Sequence, residues 1–406
     1  MHSRSSVASG TSSVPLDRAK ALETPSRLGP VKLLVLQGTP FCNLDCAYCY
    51  LPNRSDTARM SSATVGSLVR RLLEDRLVSG PLLVNWHAGE PLVLPPAFYE
   101  ERIPLFAPLV EAGIPVTHSL QTNGVLINDA YCELFRRFDI KIGVSVDGPA
   151  FLHDARRVTR SGKPTHAAVV AGMRMLQKHA IPFNVICVLT SRSLRHPEEV
   201  YYWFREMGVR AVAFNLEEIE GANLTSSMID PGFNEEYREF LERLWVLVEK
   251  DDRALRVREF DDIEGRILDR LPRRNSQTEP FINLSVASNG DYSTFCPELL
   301  GTSFPGFPDF RLGNVHGNGF RESMDSPIFQ RLLREIRQGV QACRDECPYF
   351  EVCGGGNPSN KIAENGSLSS TRTRNCTSRI MTTSDFVIGK IEERIEARGT
   401  VSGKMP

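Results

Sequence analysis

From Val31 onward the chain alternates between short apolar runs rich in β-branched residues and longer segments whose apolar positions recur every three to four residues. The first pattern reads as strands and the second as amphipathic helices. Strands are predicted at VKLLVLQ, PLLVNW, PVTHSLQ, IKIGVSV, FNVICVL and RAVAFNL. Helices are predicted between them at SSATVGSLVRRLLEDRL, AFYEERIPLFAPLVEAG, NDAYCELFRRF, THAAVVAGMRMLQKH and HPEEVYYWFREMG. Strands in strict alternation with helices predict a parallel sheet, because parallel neighbours need a crossover connection. Such a sheet is either open and doubly wound or curled into a barrel. No GxGxxG follows the first strand, which argues against a dinucleotide-binding sheet and for a partial or full barrel.

The pattern changes after Asn215. A long helical segment, FNEEYREFLERLWVLVEKDD, leads to another near Asp261, after which Gly, Pro, Asn and Cys become frequent as far as Cys376. So many turn residues would leave a thin core, which bound metal can reinforce. The segment TTSDFVIGKIEERIEARG predicts a final helix ending at Gly399. These shifts divide the chain into a disordered tail over 1–30, poor in core-forming residues, a barrel over 31–255, and a linker helix region over 256–280. A cysteine-rich domain over 281–380 and a C-terminal helix and tail over 381–406 complete it.

Composition narrows the class. With 406 residues, 41% hydrophobic and 24% charged, the chain is ordinary globular protein, and its net charge of -1 gives no electrostatic reason to expect nucleic acid. No apolar run approaches the roughly 18 residues that span a bilayer, and no secretory signal opens the chain, so a cytoplasmic location is expected.

In a reducing compartment, clustered cysteines are read as metal ligands or catalytic groups before disulfides. Cys42, Cys46 and Cys49 form CxxxCxxC just after the first strand. Three thiolates on one short loop bind three irons of a 4Fe-4S cube and leave the fourth iron open, whereas structural zinc would want four ligands. Cys343, Cys347, Cys353 and Cys376 supply four thiolates, enough to complete a second cluster or, alternatively, a zinc site. Cys132 and Cys187 lie alone in apolar stretches and read as small buried hydrophobes.

The loop CNLDCAYCY resembles the cluster-binding loop of the radical S-adenosylmethionine (SAM) superfamily, with aromatic Tyr48 just before the third cysteine. Further matches follow in the expected order. Gly89, Glu90 and Pro91 in WHAGEPL are similar to the family's GGEP motif, with Ala88 in place of its first glycine. Gln121, Thr122 and Asn123 close the third strand, Ser145 and Asp147 the fourth, and Asn215 and Glu217 the sixth; Arg157 resembles an arginine that pairs with a carboxylate. The resemblance implies a partial (β/α)6 TIM barrel and SAM contacts from Tyr48, Ala88, Gly89, Glu90, Gln121, Asn123, Ser145, Asp147, Arg157 and Asn215. All lie at or just beyond C-terminal strand ends, where barrel active sites are built.

The run CRDECPYFEVCGGG is similar to the SPASM domain, a C-terminal extension that usually houses two auxiliary 4Fe-4S clusters. Here one extra residue separates the first cysteine pair, and Asn357 and Asn318 stand where cysteines of that pattern would fall. One auxiliary cluster is therefore expected, on Cys343, Cys347, Cys353 and Cys376, giving two clusters in all. Cys296 is either a partial ligand of a degenerate third cluster or a buried thiol. The phrases CAYCYLPNR, NLEEIEGAN, FCPELLG and CGGGNPSNK resemble the branch that acts on precursor peptides with Gly-rich repeats.

This likeness implies cleavage of SAM to a 5′-deoxyadenosyl radical, removal of a β-hydrogen from a ribosomally made peptide, and an aromatic-ring-to-Cβ crosslink, a cyclophane. The auxiliary cluster would accept the final electron, and Asp262, Glu298 and Glu217 are candidate bases for the final proton. The implied partners are a precursor peptide with a leader and a reductant such as flavodoxin or ferredoxin. Thioether formation, epimerisation and formylglycine generation are alternatives within the class. An iron-sulfur or zinc scaffold that binds peptide without turnover is the alternative outside it.

Overall fold

The computed structural model describes residues 29–269, 275–317 and 319–402. The expected tail therefore lies almost wholly outside the described residues, as does Asn318. The strands are β1 (Leu33–Leu36), β2 (Leu82–Trp86), β3 (Val116–Thr122), β4 (Lys141–Ser145), β5 (Phe183–Leu189), β6 (Ala211–Leu216), β7 (Arg256–Val257), β8 (Asn283–Val286), β9 (Asp291–Thr294) and β10 (Gly313–Asn314). They form one sheet in the order β10-β9-β8-β1-β2-β3-β4-β5-β6-β7. Strands β1 to β6 run parallel with helices between them, the expected partial barrel of six β/α units.

The predicted helices form where local chemistry can start and stop them. Ser61 accepts a hydrogen bond from the Thr64 amide at the head of Ser62–Glu74, and Asn128 does the same from Tyr131 at the head of Asp129–Arg137. One predicted helix breaks. The segment after Pro96 becomes a helix over Pro96–Arg102, a 3-10 turn over Ile103–Phe106 and a short helix over Ala107–Glu111. Pro104 and Pro108 lack the N–H that a continuous helix needs, so each opens a new segment. The last helix, Thr383–Ser402, runs past Gly399 instead of ending there.

Sequence patterning suggested a separate second domain, but the sheet is continuous. Strand β8 pairs in parallel with β1, placing Leu33 opposite Asn283 and Leu36 opposite Val286, and β8 to β10 continue as an antiparallel meander. At the other edge β7 pairs with β6. The cysteine-rich region is thus hydrogen-bonded directly to the strand that carries the first cysteine loop.

Period-two alternation along the strands divides their side chains between core and cavity. Leu120, Val144, Val185, Cys187 and Phe214 are buried in the core, as is Cys132. The intervening residues Gln121, Ser145, Ile186, Val188 and Asn215 are half-buried and line a cavity at the C-terminal ends of the strands.

Candidate active site

The cavity of about 270 Å³ is lined by the cysteine loop, by the ends of the strands and by residues of the C-terminal region. Cys42, Cys46 and Cys49 all line it. Backbone hydrogen bonds hold their loop: Asp45 N donates to Val158 O (2.8 Å), Ala47 N to Arg156 O (2.9 Å), and Cys42 N to Arg54 O (3.1 Å). Burial pushes the Cys42 thiol up to about 12 and the Cys46 thiol up to about 11. Thiols so placed deprotonate when a cation takes the charge, as iron does.

Eight of the ten expected SAM-contact residues line the cavity: Tyr48, Gly89, Glu90, Gln121, Asn123, Ser145, Arg157 and Asn215. Ala88 and Asp147 are not among the lining residues, and each has a definite local setting. Ala88 sits at φ 68°, a left-handed conformation that glycine adopts more easily, so its part is to shape the turn. Gly89, at φ 141°, approaches the chain so closely that a Cβ would lie 2.1 Å from Thr39 O.

Asp147 stands behind the cavity wall. Its Oδ2 accepts from Arg157 Nε (3.0 Å) and from the Tyr48 hydroxyl, and its Oδ1 from Val188 N (3.0 Å). Arg157 in turn lies over the Tyr48 ring at 5.2 Å and donates toward Cys46 Sγ at 3.9 Å. Asp147 therefore spends its carboxylate on orienting Arg157 and Tyr48. Glu90 is similarly committed. Its Oε1 accepts from Leu92 N (2.9 Å) and Thr122 Oγ1 (2.6 Å), its Oε2 from Asn123 N (2.8 Å), and burial raises its pKa to about 7.

The three candidate bases separate. Asp262 lies outside this cavity, half-exposed and ion-paired with Arg266 at 3.2 Å, in a neighbouring polar cleft. Its one-turn spacing from Arg266 on the helix Arg258–Asp269 explains that pairing. Glu217 lines the cavity, but its Oε2 accepts from Ser227 N (2.8 Å) and its Oε1 lies 3.7 Å from Arg156. Glu298 lines the cavity with Oε2 buried and without a hydrogen-bond partner among the described residues. Burial, reinforced by Glu218, holds its carboxyl well above the usual carboxylate range.

Several lining residues escaped the sequence reading: Tyr50, His87, Glu218, Glu220, Gln277, Asn357 and Arg379. Tyr50 and His87 meet at 3.3 Å, and burial lowers His87 to about 4, keeping it neutral. Glu220 accepts from the Ser359 hydroxyl and is raised by burial and then by Glu298. The one available signal was the acidic run NLEEIEG directly after β6. Cys296 is buried, and its thiol donates to Asn357 Oδ1 at 2.8 Å.

The other four cysteines surround a separate cavity of about 240 Å³. Cys343 lies in the last turn of the helix Pro327–Glu346, Cys347 caps it, Cys353 closes the helical turn Phe350–Cys353 and Cys376 opens the π-helix Cys376–Thr382. Among the described residues, no group of three or more His, Cys, Asp or Glu side chains could hold a single metal ion. All four thiols line this one cavity.

Residues 36–204 match the family model of the Radical SAM superfamily. This chain belongs to the radical SAM superfamily and is an enzyme of it. It is 40% identical over 379 residues to the uncharacterised protein sll1766 of Synechocystis, covering 91% of this chain and 94% of that one. It is 25% identical to a serine-type anaerobic sulfatase-maturating enzyme of Bacteroides thetaiotaomicron, covering 82% and 84% of the two chains. Its fold matches a solved structure described as native anSMEcpe with bound AdoMet and Cp18Cys peptide, with a TM-score of 0.72 at 21% identity, over 91% of this chain and 99% of that one. No helix among the described residues is long and apolar enough to cross a membrane.

Proposed function

We propose that this radical SAM enzyme modifies a peptide, removing a hydrogen atom from a side-chain Cβ and then a proton and an electron. The observation that carries the reading is the cavity itself. It brings the three-cysteine loop and Glu298, whose buried Oε2 has no hydrogen-bond partner among the described residues, to the lining of one cavity. When bound, the cluster at Cys42, Cys46 and Cys49 with SAM supplies the 5′-deoxyadenosyl radical, and a cluster at Cys343, Cys347, Cys353 and Cys376 supplies an electron acceptor.

The chain's own residues do the rest. Arg157, fixed by Asp147, is the cation for the SAM carboxylate. Gly89 and Glu90 hold the backbone turn that receives the SAM amino group, and Gln121, donating to Ser145 Oγ at 2.9 Å, frames the next strand ends. The fit supports a cluster and SAM: three half-buried thiols, with no fourth cysteine lining the cavity among the described residues, beside a cation already oriented by Asp147. Of the three candidate carboxylates, Glu298 is the proposed proton acceptor, because its Oε2 has no hydrogen-bond partner among the described residues and its raised pKa suits a base working near neutral pH. The substrate is a precursor peptide with a leader, and electrons for SAM cleavage come from a reductant such as flavodoxin or ferredoxin.

For the product, the proposal is a ring-to-Cβ crosslink, a cyclophane, as the resemblance of CAYCYLPNR, FCPELLG and CGGGNPSNK implies. A second reading, oxidation of Ser or Cys to formylglycine, is favoured by the likeness to the sulfatase-maturating enzyme across most of both chains. The test is anaerobic reconstitution with SAM, reductant and the candidate peptide, followed by mass spectrometry. Loss of two hydrogens from the peptide, no reaction with a hydrazine and a fragment pattern linking ring to Cβ support the crosslink. A hydrazine-reactive aldehyde establishes the second reading, and the lack of any SAM cleavage in the cluster-replete protein overturns both.

A further inference from the structure

Among the described residues, the strongest buried charge outside the SAM cavity is Lys361, which is 2% exposed. It sits on the helix Pro358–Asn365, whose N-cap is Asn357, and its amide donates to Asn357 O at 3.1 Å. Its Nζ donates to Cys343 Sγ at 3.5 Å. The largest attractions on it come from thiols, Cys343 first and then Cys353 and Cys376.

Two glycines make room for this side chain. A Cβ on Gly339, in the helix that carries Cys343, would lie 3.0 Å from Lys361 Nζ, and a Cβ on Gly356 would lie 3.4 Å from Lys361 Cε. The ammonium is thus built into the wall of the four-thiol cavity. Burying it without a counter-charge costs several kcal/mol, and neutral thiols do not supply one. Four thiolates around an iron-sulfur cube do, because the assembled group is anionic. The neighbouring residues of the same helix reach the other way: the Ser359 hydroxyl donates to Glu220, and Asn360 Nδ2 donates to Glu218 Oε2 at 2.8 Å. One short helix therefore links the acids of the SAM cavity to the cation of the second thiol site.

We infer that Lys361 is a positioning residue that raises the reduction potential of the cluster held by Cys343, Cys347, Cys353 and Cys376, through its charge and its hydrogen bond to the Cys343 sulfur. Each electron added makes the cluster more negative, and a fixed buried cation stabilises that state. Net charge and hydrogen bonds to sulfur are the established levers on such potentials. A raised potential suits a group that takes an electron. The inference rests on the auxiliary-cluster reading above, and its test separates the two.

The test uses the full chain carrying Cys42→Ala, Cys46→Ala and Cys49→Ala, so that only the second cluster remains, with Lys361→Met, Lys361→Gln and Lys361→Arg added singly. Iron is counted, and the midpoint potential is followed by paramagnetic resonance during a redox titration. The expected result is about four irons per chain in the parent, a shift to more negative potential in the Met and Gln variants, and a much smaller shift in the Arg variant. Iron lost from the Met and Gln variants but kept by Arg also supports the inference, since the charge is then needed to hold the cluster. Unchanged potentials in the Met and Gln variants overturn it, as does iron loss in all three, which would make the role one of packing. A parent without iron removes the auxiliary cluster, and the inference with it.

Discussion

The two cysteine sets differ in number, in the elements that carry them and in the cation beside them. The first has three thiols on one loop, anchored by backbone hydrogen bonds to the segment around Arg156 and Val158, and its cation, Arg157, is already paired with Asp147. The second has four thiols drawn from one helix and its C-terminal cap, a helical turn and a π-helix, and its cation, Lys361, donates to the Cys343 sulfur. On the proposed reading the contrast follows from what each site would do. A site that takes a cosubstrate would leave one iron open and keep an oriented arginine for the ligand's carboxylate. A site that only exchanges electrons would close its ligand set and direct its nearby charge at the cluster.

Removing one set at a time breaks this comparison most severely. Replacing Cys42, Cys46 and Cys49 by Ala is expected to abolish SAM cleavage and to lower iron by about four per chain, leaving the second cluster in place. Replacing Cys343, Cys347, Cys353 and Cys376 should remove a similar amount of iron while 5′-deoxyadenosine still forms, with peptide product lost. Chromatography of 5′-deoxyadenosine beside iron analysis reads both. Equal loss of cleavage in both variants would mean that the sites are not divided as described.

A smaller effect is expected at the base. Glu298→Gln should lower peptide product by about a hundredfold or more while 5′-deoxyadenosine formation continues, which uncouples the two halves of the reaction. The pH dependence follows from the sign of the shift. Because burial raises the Glu298 pKa, the carboxylate needed as acceptor is lost as pH falls through a value above the ordinary 4.5 of a glutamate. Product formation in the unmodified enzyme should show that acid limb, and the Gln variant should lack it. The smallest effect belongs to Asp262→Asn. Its exposed ion pair with Arg266 contributes about 0–1 kcal/mol, so turnover should change by less than about threefold. A larger loss would return Asp262 to the list of bases.

Much of the first site was legible in the sequence because its chemistry is local. The CxxxCxxC spacing, the strand-end positions of Gln121, Ser145 and Asn215, and the two-residue alternation that turns them toward the cavity are all set within a few residues. Strands β1 to β6 were legible for the same reason. What escaped depended on contacts between distant segments. Tyr50, His87, Glu218, Glu220, Gln277 and Arg379 come from different loops and helices, and only folding brings them to one cavity. Asp262 was misplaced because a carboxylate's sequence neighbourhood does not say whether it faces a cavity or a nearby arginine.

The sequence by itself determined the parallel β/α repeat, the two thiol groups and their order along the chain, because periodicity and ligand spacing are properties of adjacent residues. Tertiary structure decided three further matters. It joined β8 to β1, making the cysteine-rich region part of the barrel's own sheet. It turned Asp147 and Glu90 into supports by surrounding them with donors, and it left Glu298 Oε2 without a hydrogen-bond partner among the described residues. It also drove Lys361, by sequence an ordinary surface residue, into the second thiol site through the space left by Gly339 and Gly356. Burial, counter-charge and free hydrogen-bonding capacity depend on which segments meet, and that is fixed only when the chain is packed.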